Sequence, residues 1–146
     1  MITEVVYPEV TFSWINEGCK TIDIKKIKPL DWMATDYHLR EKLIYISAPY
    51  SLGDVVTNVR FACEIGDKVL EKGYIPFIPH LSHFWHYLSP KSWEEWLRID
   101  SAFIPRCDAL LRINGESVGA DKEVKLAKSL GIPVYYSLEE LPLAGF

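Results

Sequence analysis

Apolar and polar positions alternate in a regular order between residues 43 and 137. Leu43-Ile44-Tyr45-Ile46 is a short apolar run stopped by Ala48-Pro49, the pattern of a strand buried on both faces. Over residues 58–72 the spacing becomes helical, with Val59, Ala62, Ile65, Gly66, Val69 and Leu70 on one face and Gly73 as the stop. Residues 74–78 predict a second strand. Pro76 cannot donate to a ladder, which puts that strand at a sheet edge. Ser92-Trp93-Glu94-Glu95 is a capping box that starts a helix at Trp93, with Trp96, Leu97, Phe103 and Ile104 as its apolar stripe. Residues 109–113 predict a third strand. A glycine-bearing loop over 114–119 leads into a helix with Val124, Ala127 and Leu130 inward. Gly131 and Pro133 end that helix, and residues 132–136 predict a fourth strand.

Strand and helix therefore alternate as β-α-β-α-β-α-β. That order predicts an α/β fold, a Rossmann-like or flavodoxin-like three-layer sandwich with a mostly parallel sheet and right-handed crossovers. A strand order of 2-1-3-4 puts the topological switch between strands one and three, where such folds bind ligands. The residues that would face it are 47–50 and 114–123. Residues 1–42 break the pattern and form an N-terminal extension to the 43–146 domain. Val10 to Trp14 and Thr21 to Ile24 alternate around Asn16-Glu17-Gly18, which predicts a β-hairpin followed by a connector.

Composition narrows the classes. The 146 residues are 49% hydrophobic and 25% charged, enough for one globular core. A net charge of −4 argues against binding a nucleic-acid polymer, which needs a basic face. Cys19, Cys63 and Cys107 are scattered and odd in number, so neither a zinc ribbon nor a disulfide framework is expected, and Cys63 is expected in the core. No apolar run approaches 18 residues and no signal-peptide pattern opens the chain, so a cytoplasmic protein without a membrane partner is expected.

The chemistry-bearing positions cluster at the expected switch point. Residues 115–123 follow a strand and open a helix, so backbone N–H groups and the Ser117 hydroxyl form an anion site there, or Ser117 or Asp121 merely caps the helix. Glu123, placed in the first turn, is either a solvated acid complementing the helix dipole or a carboxylate at a cleft floor. Asp100, in the middle of the preceding helix, sits beside its apolar stripe, where an acid is costly unless paired or facing a cleft, or lies at the stripe's solvated margin. His80, His83 and His86 recur every third residue, but without a metal-ligand motif. With Phe84, Trp85, Tyr87 and Trp93 they suggest a wall around a flat ring, or plain packing.

These residues resemble the nucleoside 2-deoxyribosyltransferase-like superfamily over roughly 43–137. Ile44-Tyr45-Ile46-Ser47 is similar to the family's first strand with its active-site tyrosine. Asp100, followed by Asp108, is similar to the helix of the catalytic aspartate. Ser117-Val118-Gly119 with Glu123 is similar to the loop and nucleophilic glutamate, and Pro79-His80-Leu81-Ser82 to a signature of small relatives. The resemblance implies cleavage or transfer of the N-glycosidic bond of a nucleoside or nucleoside 5′-monophosphate. Glu123, Asp100 and Tyr45 would be catalytic; Ser47, Tyr50, His80, Asn114, Ser117 and Gly119 would bind substrate. No cofactor or metal is implied, and a homo-oligomer is. Serine at 117, where the transferases carry an acid, points to phosphate. Asp121, where relatives carry glycine, opposes it. A nucleotide-binding or sensing module without catalysis is the alternative.

Overall fold

The computed structural model describes residues 41–145. The predicted hairpin and connector lie outside them, apart from the connector's last two residues. Four strands, β1 (Leu43–Ser47), β2 (Ile75–Phe77), β3 (Ala109–Arg112) and β4 (Val134–Tyr135), form one sheet in the order β2-β1-β3-β4. Every pairing is parallel. β2, with Pro76, is an edge strand as expected, and the switch of order falls between β1 and β3.

The described residues form four helices, α1 (Val55–Glu71), α2 (His83–Leu88), α3 (Trp93–Ser101) and α4 (Val118–Ser129), of which α1 and α4 pack on the sheet. Single 3-10 turns at Pro79–Ser82 and Ile104–Arg106 precede α2 and β3. Because side chains of a strand alternate between faces, the sheet has two cores. Ile44, Ile46 and Leu111 meet Val69 and Ile65 of α1 on one side. Tyr45 and Leu110 meet Ile104 and Ala127 and Val124 of α4 on the other. Helices on both faces make three layers. Among the described residues no helix is long and apolar enough to cross a membrane.

Helix ends follow their caps. Asp54 accepts hydrogen bonds from the Val56 and Thr57 amides and starts α1 three residues earlier than expected, inside a β-branched run that masks the helical signal. Ser92 caps α3 through the Glu95 amide, as the capping box requires. Residues 83–88, expected only as an aromatic wall, form the extra helix α2. The stripes are narrower than predicted. Leu70 and Leu130 are 50% and 48% exposed, because small residues at 62 and 66 in α1 and at 120 and 127 in α4 let each helix press close along a thin line. Phe103 lies beyond the end of α3 and is 39% exposed, while Ile104 is buried. Cys63 is half-buried rather than in the core.

The loops after β1 and β3 touch at the switch point. Gly115 has φ +130°, and a Cβ there would stand 2.6 Å from Pro49 Cγ. An L side chain meets both strain and a clash, so Gly115→Ala is expected to lower the unfolding free energy by about 1–3 kcal/mol. Urea denaturation of the two proteins measures this.

Candidate active site

The site is built on the central strand. Tyr45 and Ser47, two residues apart on β1, face α4 and are fully buried. Ser117 starts α4 by accepting from the Ala120 amide, which fixes the helix phase so that Ala120, Glu123 and Ala127 point at the sheet. Glu123 is thereby delivered onto β1. Its Oε1 accepts from the Tyr45 hydroxyl at 2.8 Å and its Oε2 from the Ser47 hydroxyl at 2.6 Å. The Tyr45 ring is stacked on Phe77, which stacks on Phe103.

Two expectations about the acids are corrected. With Ser117 as the cap, the first turn contains Asp121, and Glu123 lies one turn deeper, 8% exposed, where the dipole weakens. Asp100 is in the last turn of α3, not its middle. Its carboxyl lines a cleft shared with Glu123, Ile46 and Ala48 near the end of β1, Tyr50, Pro79, His80 and Ser82, and His86 and Trp96. The cleft is small, about 90 Å³. Pockets that engulf a drug-sized ligand hold about 300–1,000 Å³, so this cleft is too small to enclose one whole.

The electrostatics follow from burial. Burial raises the Glu123 pKa above the ordinary carboxylate range, although the Ser47 and Tyr45 hydroxyls and the Arg112 guanidinium pull it down. Desolvation outweighs these lowering contributions, so the net shift is upward. Asp100 is pushed up to about 7, first by burial and then by the Glu123 charge. Burial and the neighbouring Glu123 and Asp100 carboxylates hold the Tyr45 hydroxyl protonated, so it remains a donor. Of the two acids, the one with two hydroxyl donors is the better seat for negative charge, and Asp100 the better seat for a proton.

The remaining expected site residues divide. Tyr50 lines the cleft, its hydroxyl 2.7 Å from His83 Nδ1. His80 is 5% exposed, with Nε2 2.9 Å from the Pro49 carbonyl. Ser117 and Gly119 are half-buried beside Trp93, outside the cleft lining. Asn114 is exposed and its oxygen accepts from the Gly115 amide, so the structure does not bring it into the cleft. Sequence reasoning missed Trp96, taken for a stripe residue, whose indole donates to His86 Nδ1 at 2.7 Å. It also missed Arg112, whose side chain is 10% exposed and reaches Asp121 at 3.0 Å. Its place at the last position of β3, opposite Ser47, was the available signal. Among the described residues no group of three His, Cys, Asp or Glu is placed to hold a metal ion.

A parallel sheet in the order β2-β1-β3-β4, with two carboxyls in a cleft at its switch point, defines an α/β protein of the Rossmann-like, flavodoxin-like class. The chain belongs to a family described as a domain of unknown function, DUF7768, whose model matches residues 42–137. No curated protein matches it. Among solved structures it is similar to a 2-deoxyribosyltransferase from the psychrotolerant bacterium Bacillus psychrosaccharolyticus. The identity is 20% and the TM-score 0.47, over 63% of this chain and 69% of that one.

Folding raises the proton affinity of Asp100 from an ordinary 3.8 to about 7. Between those values the folded chain keeps a proton that the unfolded chain releases, so stability falls as pH rises through the window and levels off above it. Glu123 acts in the same direction. Asp100→Asn removes the penalty. It is expected to flatten the decline and to stabilise the protein at pH 8 by about 1 kcal/mol, allowing for screening by solvent in the cleft. Urea titrations at pH 5 and pH 8 measure both effects.

Proposed function

We propose that the protein cleaves or transfers the N-glycosidic bond of a nucleoside or nucleoside 5′-monophosphate. The observation that carries this is the pair of acids in one cleft. Glu123 is gripped by two hydroxyls and suited to bear charge, and Asp100 is suited to hold a proton near neutral pH. That is the division of labour of a retaining glycosidase. The Glu123 carboxylate attacks the anomeric carbon as the bond to the base breaks, and Asp100 gives its proton to the departing base. Asp100 then takes a proton from water or an acceptor base, which displaces Glu123 from the sugar. Tyr45 and Ser47 keep the attacking carboxylate aimed. The likeness of residues 43–137 to the nucleoside 2-deoxyribosyltransferase-like superfamily points to the same chemistry.

Ser117 favours the monophosphate. Its oxygen accepts the capping bond from Ala120, which leaves the hydroxyl proton free to donate to a phosphate oxygen. The Asp121 charge that opposes a phosphate is paired with Arg112.

A screen of nucleosides and their 5′-monophosphates for release of free base tests the activity. On the best substrate, Glu123→Gln is expected to lose on the order of a thousandfold in rate while remaining folded. Comparable turnover in both proteins removes the assignment. The pH profile of kcat/KM is expected to be bell-shaped. Its alkaline limb should lie near 7, where Asp100 loses its proton, and its acid limb above the ordinary carboxylate range, where Glu123 gains one. Ser117→Ala is expected to weaken 5′-monophosphate binding by about 1–3 kcal/mol more than it weakens nucleoside binding. Calorimetric titration with both ligands measures the difference.

A further inference from the structure

We propose that His80 is a specificity-determining residue, an acceptor that reads an amino group on the ligand's heterocycle. This rests on the nucleoside reading of the cleft and names the chemical feature that the base must carry. His80 follows Pro79 in the 3-10 turn after β2, and both residues are buried. Its Nε2 lies 2.9 Å from the Pro49 carbonyl oxygen, on the loop after β1. A carbonyl oxygen only accepts, so Nε2 carries the hydrogen and, in the neutral ring, Nδ1 is left as a bare acceptor. Burial lowers the imidazole's pKa and keeps the ring neutral.

Nδ1 is buried and has no hydrogen-bond partner among the described residues. The two neighbouring imidazoles differ. His83 Nδ1 meets the Tyr50 hydroxyl, and His86 Nδ1 accepts from the Trp96 indole. His80 thus retains an unpaired, buried acceptor, and the residue belongs to the wall of the cleft that Asp100 and Glu123 also line. The Tyr50 ring meets it edge-on, at a centroid distance of 5.6 Å and 73°, and restricts its rotation. A buried acceptor left unpaired is costly, so a site holding one discriminates strongly against ligands that cannot donate to it. A base with an amino group at its edge satisfies it, and an isostere with C–H at that position does not.

Calorimetric titration with N-methylated bases, which cannot be turned over, tests this directly. The pairs are 9-methyladenine against 9-methylpurine and 1-methylcytosine against 1-methylpyrimidin-2-one, each differing by one amino group. In at least one pair the amino member is expected to bind roughly 10- to 100-fold more tightly. His80→Phe should level that pair. His80→Gln, whose amide can donate to Pro49 and still offer an acceptor, should retain part of the preference. Equal binding within both pairs by the parent protein overturns the proposal, and so does a preference that survives in His80→Phe. If His80→Phe does not fold, the parent and His80→Gln decide it, an undiminished preference in His80→Gln counting against it. Base release in the nucleoside screen with no discrimination within the pairs sinks this inference alone. No binding by any of the four compounds, together with no base release, sinks the nucleoside reading and this inference with it.

Discussion

A carboxylate held almost out of water against the central strand is the constraint on which the rest of the structure depends. Moving an ionised carboxyl to such a place costs several kcal/mol unless donors replace its hydration. β1 supplies two, from Tyr45 and Ser47, because side chains two residues apart share a face. That arrangement works only if β1 lies inside the sheet, with β2 and β3 on its flanks, and if α4 lies across the same face with Glu123 turned inward. The Ser117 cap sets the helix phase, and Ala120 and Ala127 are small enough to let the helix come close. Fold and site are therefore one problem: the same close approach that fills the core strips water from the acid.

The second acid turns a structural tie into a chemical device. Asp100 faces the cleft from the end of α3, and the Glu123 charge makes its ionisation harder. Two carboxyls in one poorly solvated cleft do not both ionise readily, so their proton affinities separate, and the better-stabilised partner takes the charge. Here that stabilisation comes from hydroxyls and from Arg112. Arg112 donates to Asp121, and its guanidinium lowers the cost of the Glu123 charge.

Much of this was legible in the residues. The apolar run at 43–46, the edge proline at 76, the capping box at 92–95 and the glycine stops at 73 and 131 are local signals, and the parallel order 2-1-3-4 follows from their alternation. Tyr45, Ser47, Asp100 and Glu123 converge because the ends of the strands and of the helices packed on them meet at a switch point. What was illegible depends on how closely elements approach. Leu70 and Leu130 look like core residues until alanine and glycine bring the helices close. Asn114 looks like a ligand until its side chain caps its own loop. The start of α1 hides behind β-branched residues. The proton affinity of Glu123 could not be read from helix position, because burial, a tertiary quantity, outweighs the dipole.

The division of charge between the two acids is the central claim, and carboxyl carbon NMR of the folded protein tests it most directly. With aspartate and glutamate labelled, and signals assigned through Asp100→Asn and Glu123→Gln, the side chains can be titrated one by one. The account predicts that Asp100 titrates near 7, that Glu123 ionises first but above the ordinary carboxylate range, and that Glu123→Gln moves Asp100 downward. Ordinary titration of both acids near 4 would contradict it, as would an Asp100 midpoint indifferent to the loss of the Glu123 charge.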